Sequence, residues 1–222
     1  VIMPDKCILC GHCLKICPQS AKTLRSDLEL VKGWIAAGER VVVSIAPSYM
    51  GLLKYKTIGQ VRGALIRLGF EDVRETSEGA AYVTAEYARL LKEHQMENII
   101  TTCCPSVNDL IEIYYPQYLS SLSRQVSPMI AHGKILREKY PDAKIVYAGS
   151  CLAKKMEVHD KDVRGIIDGV LTFDEIDTWI KEENIVPSKM PMEEFNAIGT
   201  NTGRLYPITG GLAKNSVENL DG

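Results

Sequence analysis

The chain has 222 residues, with 26 Lys+Arg against 28 Asp+Glu and a formal net charge of −2. That near-balance removes any reason to expect a polyanion-binding face, so nucleic acid is excluded as a partner. No uninterrupted apolar run reaches the ~18 residues of a membrane span and no charged-then-apolar leader opens the chain, so it reads as a soluble, cytoplasmic protein without membrane contact.

Residues 1–25 are turn-rich and cysteine-dense, with too few apolar side chains to build a core unaided, which predicts a small module held by metal. Val1 rather than Met stands first, and trimming at one or both ends is expected. Leu28, Leu30, Val31, Trp34 and Ile35 have helical spacing and stop at Gly38, so 26–38 is expected to join the module to a second domain spanning 26–222. The β-branched run Val41-Val42-Val43-Ser44-Ile45 predicts a buried strand. A helix over 58–68 closed by Gly69, a short strand over 72–75 and a helix over 79–94 follow. Asn98-Ile99-Ile100-Thr101 reads as a strand running into Cys103-Cys104-Pro105. Helices over 106–114 and 127–139 precede a strand over 144–149 that runs into Ser150-Cys151, and a strand over 169–172 and a helix over 174–182 end the series.

Strands alternating with helices of this length predict an α/β fold: a parallel sheet with helices on both faces. Open parallel sheets bind ligands beyond the carboxyl ends of their strands. Ala46-Pro47-Ser48, Thr102-Cys103-Cys104-Pro105 and Ser150-Cys151 each follow a predicted strand, so all three are expected on one rim.

Seven cysteines, odd in number and clustered, suit metal binding better than disulfides. Cys7-x2-Cys10-x2-Cys13-x3-Cys17-Pro18 matches the bacterial ferredoxin run for a 4Fe-4S cluster. Soft thiolates bind iron, and three spaced two residues apart can wrap three corners of one cubane. A zinc site more often shows two separated Cys-x2-Cys pairs. In two-cluster ferredoxins the fourth cysteine of the run serves the other cluster. Cys17 therefore either ligates a neighbour whose own run lies upstream of Val1, the reading favoured here, or closes the single cluster.

Thr101-Thr102-Cys103-Cys104-Pro105-Ser106 and Gly149-Ser150-Cys151-Leu152-Ala153-Lys154-Lys155-Met156-Glu157 resemble the first two signature motifs of the iron-only (FeFe) hydrogenases, Thr-Ser-Cys-Cys-Pro-Gly and Pro-Cys-x-Ala-Lys-Lys-x-Glu. Ala46-Pro47-Ser48, Ser123 with Ser127-Pro128, and Thr209-Gly210-Gly211 extend the match collinearly from Cys7 to Gly211. The resemblance implies the first lobe of the hydrogenase fold preceded by a ferredoxin-like module. It implies that Cys104 and Cys151 ligate a 4Fe-4S cubane, that Cys103 hands protons to the attached di-iron unit of the H-cluster, and that Lys154 donates to a cyanide ligand of that unit. Ala46, Pro47 and Ser48 would line the same pocket, with Ser48 also bonding cyanide. A thiol pKa near 8.5 suits Cys103 to proton exchange. From the residues alone, Ser123 either caps a helix or relays protons; Lys154 and Lys155 are either solvated charges or, since a cation is unfavourable at a helix start, drawn there by an anion. The histidines, His12, His94, His132 and His159, are scattered and receive no ligand role.

The family's third cysteine motif has no counterpart, since no cysteine follows Cys151. Two thiolates cannot hold a cubane that takes four, so the chain alone is expected to be inactive. Where catalytic members carry paired glutamates, only Glu86 remains; Ser127-Pro128-Met129-Ile130 loses an amide, and Gly149 replaces a methionine. These changes resemble the divergent, sensory branch of the family. Three functions follow from the resemblance: a hydrogenase taking electrons from ferredoxin or another redox partner, a hydrogen or redox sensor with a downstream signalling domain, or a hydrogenase-like iron–sulfur assembly protein.

Overall fold

A computed structural model of the chain describes residues 2–53, 55, 57–191 and 201–212. In chain order its helices are α1 (His12–Lys15), α2 (Leu28–Ala36), α3 (Tyr49–Leu52), α4 (Ile58–Arg67), α5 (Ser77–Lys92), α6 (Pro105–Tyr114), α7 (Pro128–Lys139), α8 (Lys154–Glu157), α9 (Phe173–Glu182) and α10 (Asn201–Arg204). The strands are β1 (Val41–Ile45), β2 (Asp72–Glu75), β3 (Lys144–Gly149) and β4 (Gly169–Thr172). They form one parallel sheet in the order β2-β1-β3-β4, as the alternating pattern predicts.

The apolar run of β1 is the centre of the core: Val41, Val42, Val43 and Ile45 have no exposed surface. A parallel strand covered on both faces has no solvent side, which is why it reads as continuous hydrophobic sequence. Burying each such side chain contributes about 1.5–3 kcal/mol. The run from β1 through α4 to β2 steps one way along the sheet, and the run from β2 to β3 and β4 steps the other way. Right-handed crossovers then put helices on opposite faces. On one face α2, α4 and α9 meet: a Cβ on Gly69 would lie 2.5 Å from Ile35 Cγ2, and the Phe70 and Trp179 rings stand edge to face with centroids 5.7 Å apart. On the other face α7 covers β1 and β3, with Met129, Ile130 and Leu136 fully buried, and α5 packs against α7.

Local chemistry sets the ends. Thr57 with Gln60 and Thr172 with Glu175 form capping boxes that open α4 and α9, and Ser127 caps α7 by accepting from the Ile130 amide. Gly38 and Gly69, at φ +76° and +105°, end α2 and α4 in the left-handed region that favours glycine.

One predicted strand is absent from the sheet. Residues 98–101 make only an isolated parallel bridge, Ile100 to Leu122, with Ile100 donating to the Ser121 carbonyl at 2.7 Å and accepting from the Ser123 amide at 2.9 Å. Those bonds satisfy the backbone locally, and Ile99 packs on the separate cluster of Val83, Tyr87 and Leu90. The short apolar run thus belongs to a layer beside α5.

Candidate metal centre at the strand tips

The sheet order reverses between β1 and β3, and such a switch point opens a crevice beyond the strand ends. The register makes the tips flush, with Ile45 opposite both Glu75 and Ala148. Residues leaving β1, β2 and β3 therefore emerge side by side. A cavity of about 350 Å³ sits there, and its walls include Ala46, Pro47, Ser48, Cys103, Cys104, Cys151 and Lys154. All three sequence segments expected on one rim meet here, although the Cys103-Cys104 segment arrives from outside the sheet.

Cys104 is the N-cap of α6, whose first helical residue is Pro105; proline is pre-shaped for that position and loses no hydrogen bond there. The amides of Val107 and Ser106 point at the Cys104 sulfur. The thiols of Cys104 and Cys151 interact directly, side chain to side chain. Sharing a proton with Cys151, together with the helix amides and nearby Lys154, pulls the Cys104 thiol down against the opposing effect of burial. The same contact and burial push Cys151 up. Two adjacent thiols, one of them favoured as thiolate, are a ready soft-metal ligand set. Cys103 lies half-buried on the same wall, with Thr101 Oγ1 3.9 Å from its sulfur.

Lys154 is buried, which removes the solvated-charge reading; its Nζ donates to the Cys103 carbonyl at 3.0 Å and to Glu157 at 2.5 Å. The anion accounting for a lysine at this helix start is thus Glu157, and an ammonium's third N–H remains for a ligand in the cavity. Lys155 is buried too and serves the fold, donating to the Val170 carbonyl at 2.6 Å and to Glu175 at 3.1 Å. Ser48 Oγ lies 3.4 Å from Ser150 Oγ at the rim.

Ser123 is buried and is not among the residues walling the cavity; its hydroxyl accepts from the Gln125 amide at 3.2 Å, while helix capping falls to Ser127. Gln125 also reaches Glu86 at 3.4 Å, and Arg89 holds Glu86 at 2.6 Å and keeps its carboxyl below the usual range. The departures from the family pattern have physical counterparts. Met129 presents an apolar wall, and Tyr147 occupies the space over Gly149, where a Cβ would lie 2.6 Å from the Tyr147 hydroxyl.

Several wall residues escaped the sequence reading. Thr76, Ala80, Tyr147, Gly203, Tyr206 and Pro207 complete the cavity. Thr76 sits at a third strand tip, a position the carboxyl-end rule would have flagged. Nothing local signals the 203–207 wall: it is held by Arg204, which reaches back to Glu75 across the fold.

In the N-terminal run, Leu9 and Gly11 adopt φ +56° and +75°, turning the chain sharply between cysteines. Cys7 and Cys13 line a cavity of about 260 Å³, while Cys10 borders a separate cleft shared with Cys151, Ser106 and Leu152. Cys17 lines neither, and the amides of Ala21 and Gln19 with Lys22 lower its thiol pKa. Among the described residues no three Cys, His, Asp or Glu side chains gather as for a single metal ion. A cubane asks for something else, since its thiolates bind different irons and stand apart. Gly11 packs on Leu152, where a Cβ would lie 2.5 Å from Cδ1, so the ferredoxin-like turn abuts the Cys151 motif.

A thiol-lined, largely apolar cavity at the switch point, beside a cysteine turn of ferredoxin spacing, defines an iron–sulfur protein. Residues 1–23 match the 4Fe-4S binding domain, and residues 39–221 match the iron only hydrogenase large subunit, C-terminal domain. The chain belongs to the iron-only hydrogenase large-subunit family, whose cofactors are 4Fe-4S clusters and the H-cluster. It is 28% identical to NADP-reducing hydrogenase subunit HndD of Solidesulfovibrio fructosivorans, over 93% of this chain and 41% of that protein. It is 30% identical to iron hydrogenase 1 of Clostridium pasteurianum, over 92% and 42% respectively. A solved [FeFe]-hydrogenase HydA1 from Chlamydomonas reinhardtii superposes with a TM-score of 0.68 at 26% identity, covering 80% of this chain and 52% of that one. The chain thus spans about two fifths of the curated relatives it matches. The residues present fit the family's group at this site: paired soft thiols, a third thiol on the wall, and a buried ammonium with a donor to spare.

Proposed function

We propose that the protein containing this chain interconverts protons and hydrogen, with electrons entering through the Cys7–Cys17 segment from ferredoxin or a similar redox partner. The observation that carries this reading is the meeting of Cys104 and Cys151 on a cavity also walled by Cys103 and Lys154. In this reading Cys104 and Cys151 supply half of a cubane's thiolates and Lys154 orients an anionic ligand beside the Cys103 carbonyl. Cys103 holds the exchanging proton. The H-cluster, when bound, supplies the redox chemistry. The cleft bordered by both Cys10 and Cys151 supports a short electron path between the two metal sites. Cys17 lines neither cavity, which supports its serving a different cluster. The 222 residues alone, with two of the four cubane thiolates, are inactive on this reading. All seven cysteines are free, which suits the reducing cytoplasm. Among the described residues no helix is long and apolar enough to cross a membrane.

Two observations favour a second reading, a hydrogen sensor that passes its state to a downstream signalling domain. Glu86 is tied up by Arg89, and Met129 replaces polar character on the cavity wall. Both weaken the supply of protons that fast turnover needs, which a sensor does not require. Hydrogen uptake by the full-length, maturated protein decides between them: a rate well above trace selects the enzyme, and intact cyanide and carbonyl infrared bands with only trace turnover select the sensor. Cubane spectra without those bands would overturn both and leave the iron–sulfur assembly role.

A further inference from the structure

His132 is the only histidine in the described core with no exposed surface, and half of its imidazole is unaccounted for. Its Nδ1 lies 2.8 Å from Ser44 Oγ, which in turn lies 2.7 Å from Thr76 Oγ1. Its Nε2 has no hydrogen-bond partner. Buried polar atoms are nearly always satisfied, so an orphan of this kind calls for a function. Glu78 Oε1 lies 3.8 Å from Nε2. Arg74 Nε holds that same oxygen at 2.8 Å, and the Glu78 side chain is 15% exposed.

The ends of this row matter. Thr76 is a wall of the thiol-lined cavity, and Glu78 reaches the surface. The row exists because α5 and α7 touch at Gly79, where a Cβ would lie 2.5 Å from the His132 backbone nitrogen. That approach brings an imidazole of α7 between a β1 hydroxyl and an α5 carboxylate.

We propose that Thr76, Ser44, His132 and Glu78 form a proton relay between the cavity and solvent. The inference rests on the hydrogenase reading for its purpose, and its geometry stands apart from the Ser123–Gln125–Glu86 row. In the outward direction Thr76 takes a proton from the cavity and passes its own to Ser44. Ser44 protonates Nδ1, and Nε2–H goes to Glu78 as the carboxylate swings across the gap. One proton enters and one leaves, no electrons move, and hydroxyl rotation with return of the imidazole tautomer resets the row. Burial and the facing Arg74 hold His132 neutral, which keeps the ring a conductor and prevents it from trapping a fixed charge. The four side chains are relay residues acting through the cavity wall.

The test uses the chain with 15N-labelled histidine. Solvent exchange of the His132 ring N–H should slow by about a hundredfold in Glu78→Gln, the scale of a lost general base, with both proteins compared equally far below their own thermal midpoints because the variant also loses the Arg74 ion pair. Ring exchange that Glu78→Gln leaves unchanged, fast or slow, overturns the relay. In the full-length protein carrying its clusters, Thr76→Val and Ser44→Ala should lower kcat for hydrogen about tenfold or more, within the range general acid–base groups supply, with KM unchanged and a larger solvent isotope effect. Unchanged kcat in both variants likewise overturns it. A parent protein that shows no turnover at all defeats the hydrogenase reading, while the ring-exchange measurement still decides the relay.

Discussion

Arg204 lays Nε and Nη2 across the two oxygens of Glu75 at 2.9 and 2.8 Å, and Glu75 has no exposed surface. Tyr49 and Ser77 add hydroxyl donors at 2.6 and 3.0 Å. The pair pins residues 203–207 against the cavity, with Gly203 so close to α5 that a Cβ would fall 2.1 Å from the Ser77 carbonyl oxygen.

Removing the guanidinium leaves a buried carboxylate with only neutral partners. Arg204→Ala should cost about 3 kcal/mol, the low end for breaking a buried pair because the arginine is partly exposed. Urea denaturation measures the loss. The freed wall should also speed reaction of Cys103 with a thiol reagent and leave exposed Cys10 unaffected, read by mass spectrometry of the labelled cysteines.

Gly79→Ala should destabilise although alanine is the better helix former. The added methyl meets backbone, 2.5 Å from both the His132 nitrogen and the Pro128 carbonyl oxygen, so α5 and α7 must separate. Overpacking of about 1–3 kcal/mol outweighs the ~1 kcal/mol gained in helix propensity. A drop in the urea midpoint checks the sign, and a rise would show that the two helices are free to shift.

Acidification should weaken the fold before its carboxylates titrate. Burial and Arg74 hold His132 down to about 3, against about 6.5 unfolded, with the Glu78 carboxylate 3.8 Å away. Between those values the unfolded chain binds more protons, so stability is complete above pH 6.5 and falls as pH drops toward 3. From pH 7 to pH 5 the loss should be about 2 kcal/mol, from 1.36 kcal/mol per pH unit below 6.5. Denaturation at the two pH values measures it, and His132→Phe should flatten the difference.

Replacing Cys7, Cys10 or Cys13 with serine should each abolish the visible charge-transfer absorbance and most bound iron after anaerobic reconstitution with iron and sulfide. The hard hydroxyl is a poor iron–sulfur ligand beside a thiolate. Cys104→Ser should leave that absorbance nearly intact if the N-terminal segment carries the cluster of the isolated chain. Equal losses in all four variants would mean that the two regions hold one cluster jointly.

The chemistry of this protein lies in short spacings and strand-end motifs, and those are local. Cys7-x2-Cys10-x2-Cys13, the Cys103-Cys104 pair, Cys151 before Ala153-Lys154, and the unbroken apolar β1 can all be read from neighbours, because a wrapped cluster and a doubly covered strand impose their patterns within a few residues. Helices α2, α4, α5, α6, α7 and α9 were legible for the same reason, since a helix's apolar stripe repeats within its own turns. Residues 98–101 misled because four β-favouring residues look alike in a sheet and beside one; only a neighbouring backbone settles which.

What required the tertiary structure were relationships between distant residues. The sulfur contact of Cys104 with Cys151, the clasp of Arg204 on Glu75, and the row from Thr76 through Ser44 and His132 toward Glu78 each join separate elements. His132 looked like one of four scattered histidines because its environment is made by β1 and α5, not by its own helix. A spacing motif states which ligand atoms are available; where sheet register and helix packing carry them is a property of the whole chain.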